Sequence, residues 1–242
     1  MSKIKLEKYE TADEILFTFP GWMHPIENEE KFLDLLRKKY TVYSICLPGY
    51  VNNKNSSSFT NFREIVGDIR TELKSIKNKN VVFVGFSMGC RLIMELENQF
   101  PSVNKKIFVG SPVSDYKIPF WARLLLLNSK LINFLRRSDL LKLYIVNKAL
   151  RNITQNNKSV FETKNVTLTG AFDSLVGLIK SQTNFEKYLK STLFIYGEND
   201  PYLREAENYK TKNLKIITNA EHNCVRDNEA EVVKIIDQYL QL

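Results

Sequence analysis

Histidine is almost missing from this chain: of 242 residues, only His24 and His222 carry an imidazole. A side chain that must exchange a proton near neutral pH therefore has very few candidates. Cysteine is nearly as scarce. Cys46, Cys90 and Cys224 are odd in number, widely separated and free of any CxxC spacing. That pattern excludes a disulfide framework and a zinc site, and it implies reduced thiols in a cytosolic protein. No uninterrupted apolar stretch approaches the roughly 20 residues that a bilayer-spanning helix needs. The opening residues, Met1-Ser2-Lys3-Ile4-Lys5-Leu6-Glu7-Lys8, are charged throughout and lack the apolar region of a secretion signal, which again points to the cytoplasm. Internal repeats, heptads and long linkers are absent, so the length fits one α/β domain with an insertion better than two domains.

What is present is an uneven charge. The net +8 is carried entirely between residues 113 and 190, which hold 13 Lys and Arg against 5 Asp and Glu. The rest of the chain is balanced. Such a segment is either a solvated basic face or a surface that attracts anionic substrates or membrane lipid. Nucleic acid is not implied, because no binding motif is visible and the aromatic residues do not interleave with the basic ones.

Apolar runs and amphipathic segments alternate along the chain. Strands are expected at 14–19, 41–47, 81–84, 105–109, 191–196 and 214–218, and helices at 28–39, 59–77, 91–100, 203–210 and 225–240. Nearly all-apolar strands alternating with helices imply a mostly parallel central sheet with helices on both faces. Functional groups in such sheets gather beyond the carboxyl ends of the strands.

The most specific motif is Gly85-Phe86-Ser87-Met88-Gly89, a G-x-S-x-G placed between the strand Val81–Val84 and a helix. A sharp strand-to-helix turn lifts the serine oxygen clear of the sheet, and the small flanking residues let the backbone pass. The helix that follows aims its N–H groups and partial positive charge at the place where an oxyanion would form. A nucleophilic serine needs a base and an acid to orient that base. His222 follows the last strand, and Asp200 follows the strand before it, so the order is Ser87, Asp200, His222. Asp115 is the alternative acid, since it also follows a strand end. Glu198 and Glu221 are near in sequence but lack the expected position, and His24 reads as a residue at the pocket mouth or simply exposed.

With these pieces the chain resembles the α/β-hydrolase superfamily from Glu14 to Leu240. The matching residues are Phe19-Pro20-Gly21-Trp22, the turn at Gly85–Gly89, Gly197-Glu198-Asn199-Asp200 and His222. The resemblance implies that the backbone N–H groups of Trp22 and Met88 form the oxyanion hole. Two departures stand out: Pro20-Gly21 replaces the family's common His-Gly, and Cys90 replaces a small residue, often glycine. The resemblance also implies a core of residues 1–112 and 191–242, with a helical cap at 113–190 inserted after the sixth core strand of the family's count. The first half of that segment, from Trp121 through Leu124–Leu127, Leu131, Phe134 and Leu140 to Val146, reads as two amphipathic helices, apolar toward the core and cationic outside.

The activity implied is a serine hydrolase that cleaves a carboxylic ester, short-chain or monoacyl-lipid-like, through an acyl-enzyme on Ser87. No cofactor and no metal are implied, and the basic cap could rest on anionic lipid. The same three residues would also serve thioester, amide or carbon–carbon cleavage, or an elimination of the menaquinone-pathway type. Arg91, four residues past the serine, resembles an arginine of that last group, although it could equally be a solvated helix residue. A non-catalytic binding member of the fold is the third reading.

Overall fold

The apolar runs become the strands of one sheet, because residues such as Ile15, Leu16 and Phe17 can leave water on both faces only in its interior. The computed structural model describes residues 5–9, 14–25, 28–53, 59, 61–75, 81–99, 105–112, 128–154, 164–181, 185–209, 211 and 213–241. Its strands are β1 (Lys5–Tyr9), β2 (Ile15–Phe19), β3 (Thr41–Cys46), β4 (Val81–Phe86), β5 (Lys105–Val109), β6 (Thr192–Gly197) and β7 (Leu214–Ile217). They pair in the order β1-β3-β2-β4-β5-β6-β7. Only β1 runs antiparallel, along β3.

Period-two alternation divides the side chains between two apolar layers. Leu16, Val82, Val84 and Ile107 face α1 (Glu30–Arg37) and the last helix, with Phe32, Leu36, Val232 and Ile236. Ile15, Phe17, Phe19 and Phe83 face the opposite way, toward α2 (Phe62–Ser75) and α3 (Met88–Gln99), with Ile65, Ile69, Leu92 and Leu96. The expected carboxy-terminal helix is two pieces: after the short α7 (Leu203–Glu207) come α8 (Cys224–Asp227) and α9 (Glu229–Leu240).

The segment expected to form the cap follows β5, the fifth strand in this chain's own order. It contributes α4 (Ser129–Arg136), α5 (Asp139–Thr154) and α6 (Leu168–Lys180). Trp121, Arg123, Leu124–Leu127 and the alternative acid Asp115 lie outside the described residues. Asn128 caps α4 by accepting from the Lys130 and Leu131 N–H groups. Ala171, Phe172, Leu175 and Val176 of α6 share the apolar layer of Phe17 and Phe83.

The faces of α4 and α5 are not sorted as the sequence suggests. Two of the expected outward cations turn in. Arg136 donates from Nε to Asp173 Oδ1 at 2.8 Å, and also to the Phe59 carbonyl. Lys142 donates to Thr169 Oγ1 at 3.0 Å. Phe134, Leu140, Leu141 and Tyr144 are exposed instead. For Arg136 the reason is Asp173, which is 1 % exposed on α6 and demands a cation.

Removing that anion strands a half-buried guanidinium. Asp173→Ala is expected to destabilise the protein by about 3 kcal/mol, read as a lower denaturant midpoint with an unchanged slope.

Candidate active site

The site is built at the carboxyl ends of β4, β6 and β7, and its first constraint is backbone strain. Ser87 has φ +48°, a left-handed conformation that a side-chain-bearing residue adopts only when its surroundings force it. The forcing contacts are local. Ser87 N–H donates to the Val109 carbonyl of β5 at 2.8 Å, and the Cys90 N–H closes the turn on the Ser87 carbonyl at 3.1 Å. A Cβ on Gly89 would stand 2.3 Å from the Phe19 carbonyl oxygen, so only glycine lets α3 start this close to β2. Cys90 is fully buried and its Sγ points at the Gly85 carbonyl, 3.2 Å away. Burial raises its thiol to about 12, against the opposing pull of Ser111 and Val109. Cys224 is raised to about 12 in the same way by burial, with the Asp200 charge adding to it. Neither thiol competes with the serine as a nucleophile at neutral pH.

His222 reaches Ser87 from the loop after β7. Its Nε2 lies 3.0 Å from Ser87 Oγ, and its Nδ1 lies 3.0 Å from Asp200 Oδ2. Asp200 has a fully buried side chain, and its second oxygen accepts from the Tyr202 N–H at 2.9 Å. A carboxylate fixed in this way holds the imidazole proton on Nδ1, leaving Nε2 as the acceptor for the serine proton. The ring is wedged between Tyr202, edge-on at 5.3 Å, and Gly110. Gly110 has φ +58°, and a Cβ there would come within 2.9 Å of the ring.

The two expected oxyanion donors stand at neighbouring strand ends, because β2 and β4 pair in register up to Phe19 and Gly85. Met88 is the first residue of α3, where a backbone N–H has no partner within the helix. Trp22 sits in a tight turn closed by reciprocal backbone bonds between Gly21 and His24. Tyr50 Oη accepts from the Met23 N–H at 3.3 Å and donates to the Gly21 carbonyl at 3.1 Å. The Trp22 indole N–H donates to the Ala171 carbonyl at 2.9 Å, tying the turn to α6. Arg91, in contrast, is not a solvated helix residue: it is 2 % exposed. Glu198 accepts from the Asn219 N–H, and Glu221 is exposed.

A second charged cluster borders the first, and the sequence reading missed it. Glu29 is buried, and its Oε1 lies 2.6 Å from His24 Nε2, 3.1 Å from Asn223 Nδ2 and 2.8 Å from Arg226 Nη2. His24 is therefore paired, not merely exposed. Burial alone would raise the Glu29 carboxyl, but these three donors outweigh it and hold the group at about 2. The cluster joins the Gly21–His24 turn to the residue beside His222. The only sequence signals were a histidine and a glutamate five apart and a polar neighbour to His222. Among the described residues no group of His, Cys, Asp and Glu is placed to hold a metal ion, and no helix is long and apolar enough to cross a membrane.

Comparison with known proteins agrees with this architecture. The model of the alpha/beta hydrolase family matches residues 15–235. No curated protein matches the chain. Among solved structures, MenH from S. aureus is 19% identical with a TM-score of 0.69, covering 100% of this chain and 98% of its own. A carboxylesterase of the thaumarchaeon Nitrososphaera gargenis is 17% identical with a TM-score of 0.67, covering 98% and 94%. The esterase of Exiguobacterium antarcticum is 16% identical, also with a TM-score of 0.67, covering 99% and 96%. At these identities the likeness is one of fold.

Glu29 makes the stability of the site depend on acid. Its depressed carboxyl contributes stability that is fully present above the ordinary 4.5 and is lost as pH falls toward about 2. Glu29→Gln is expected to cost about 1–2 kcal/mol at neutral pH, and the gap to wild type should close across that acid window in denaturation curves.

Proposed function

Because the chain belongs to the α/β-hydrolase family, we propose that it is a serine hydrolase acting on a carboxylic ester with a short or monoacyl-lipid-like acyl chain. The observation that carries this reading is one imidazole with Ser87 and Asp200 each 3.0 Å from its two nitrogens. As Ser87 Oγ attacks the acyl carbon, His222 Nε2 takes its proton, and Asp200 stabilises the imidazolium. The carbonyl oxygen becomes an oxyanion facing the Trp22 and Met88 N–H groups, each worth roughly 3–4 kcal/mol when aligned. His222 then protonates the departing alkoxide, leaving the acyl group on Ser87. Water, deprotonated by the same nitrogen, attacks the acyl-enzyme, releases the carboxylic acid and restores the serine.

Residues 113–190 serve as the cap in this reading. Support comes from α6, which is apolar at Phe172, Leu175, Val176 and Ile179 and is bonded to Trp22. These side chains are buried in the core, and a cap built on such a helix suits an acyl ester better than a sugar or a highly charged substrate. A second reading rests on Arg91, a buried cation four residues past Ser87. It follows the resemblance of Arg91 to an arginine of the menaquinone-pathway group, and it echoes the MenH likeness. There the three residues would serve an elimination.

The test is hydrolysis of p-nitrophenyl esters from acetate to long acyl chains by wild type and Ser87→Ala. Turnover by wild type, reduced at least about a thousandfold in the variant, is expected. Equal turnover by both would remove Ser87 from the mechanism. A wild type inert across the series would defeat the ester reading and favour the second.

A further inference from the structure

The outer face of α4 and α5 carries an arrangement that ester chemistry does not need. Phe134, Leu140 and Tyr144 are 61 %, 80 % and 62 % exposed, and Leu141 is 37 % exposed. Helical spacing places them on continuous stripes. Along α4, Lys130, Phe134 and Arg137 follow at four and three residues. Along α5, Leu140, Tyr144, Lys148 and Arg151 follow at four, four and three. All four of these cations are exposed. Lys148 Nζ lies 5.8 Å from the centre of the Tyr144 ring. Asp139 is the single acid between Asn128 and Arg151, and Lys142 Nζ bonds it at 2.8 Å.

We infer that this face docks the protein on the surface of an anionic lipid bilayer. Three features favour that occupant. Phenylalanine, leucine and tyrosine side chains standing out beside lysine and arginine match an interface whose acyl region is apolar and whose headgroups are negative. The long basic side chains can lie along the headgroups while the apolar tips enter below them. A second copy of the chain is disfavoured, because a two-fold contact through this patch would press two copies of the same cationic face, with Lys130, Arg137, Lys148 and Arg151, against each other. The sequence placed the whole charge excess in this segment, and the fold shows why the excess alone is an incomplete description. Arg136 and Lys142 are spent on Asp173 and Thr169, and the space they vacate on the outer face is apolar.

Docking is independent of the ester reading, so it is measured without turnover. Full-length protein, as wild type and as Ser87→Ala, is sedimented with phosphatidylcholine vesicles with and without phosphatidylglycerol. The expected result is co-sedimentation with the anionic vesicles only, weakened by added salt. Phe134→Ser/Leu140→Ser/Tyr144→Ser should lose binding at least about tenfold while keeping its thermal midpoint. Arg137→Gln should weaken binding roughly fivefold. Wild type remaining in the supernatant overturns the inference, and so does a triple variant that binds as wild type does or equal binding to neutral vesicles. A wild-type dimer that becomes monomeric in the triple variant would also overturn it, assigning the face to a second copy.

Discussion

The left-handed backbone of Ser87 is the constraint on which the site depends. A residue with a side chain gives up about 1–3 kcal/mol to sit there, and three elements hold it. β4 is clamped between β2 and β5, the Val109 carbonyl holds the Ser87 N–H, and Gly89 lets α3 begin against the Phe19 carbonyl. The consequences are geometric. The serine oxygen leaves the sheet at the level of His222, and the first N–H of α3 is delivered at the neighbouring position. Cys90 follows from the same packing: the turn leaves room for a small side chain, and burial there keeps the thiol protonated.

Two carboxylates then divide the electrostatic work around His222. Asp200 sits behind the ring, fully buried, and orients it. Glu29 sits to one side and bonds not the ring but its neighbour Asn223, together with His24 of the turn that carries Trp22. The loop bearing His222 and the loop bearing Trp22 thus share one buried anion. The Trp22 indole adds a third tie, to α6. Bonds between elements far apart in sequence thus tie the His222 and Trp22 loops together and bring His222 to Ser87.

How much of this was legible depended on whether the signal was local. The order of strands and helices was readable because apolar runs and amphipathic segments alternate cleanly. Ser87, Asp200 and His222 were readable because strand ends mark where such groups collect. β1 was not, because Lys5-Leu6-Glu7-Lys8-Tyr9 has no apolar run. As an antiparallel edge it pairs through its backbone with β3. α6 was also missed, since two glycines and an aspartate interrupt a segment that is apolar nearly all round. The Glu29 cluster joins positions almost two hundred residues apart, and the inward turn of Arg136 needs knowledge of Asp173 on another helix. Charge counts locate a basic segment but do not say which cations the fold consumes.

In the proposed mechanism Ser87 is a nucleophile made reactive by His222. That role is tested most directly by incubating wild type and His222→Ala with a fluorophosphonate and locating the adduct by peptide mass spectrometry. One adduct is expected on wild type, at Ser87, with labelling slowed at least about a hundredfold in the variant. Labelling at another residue, or equal rates in both proteins, would contradict it.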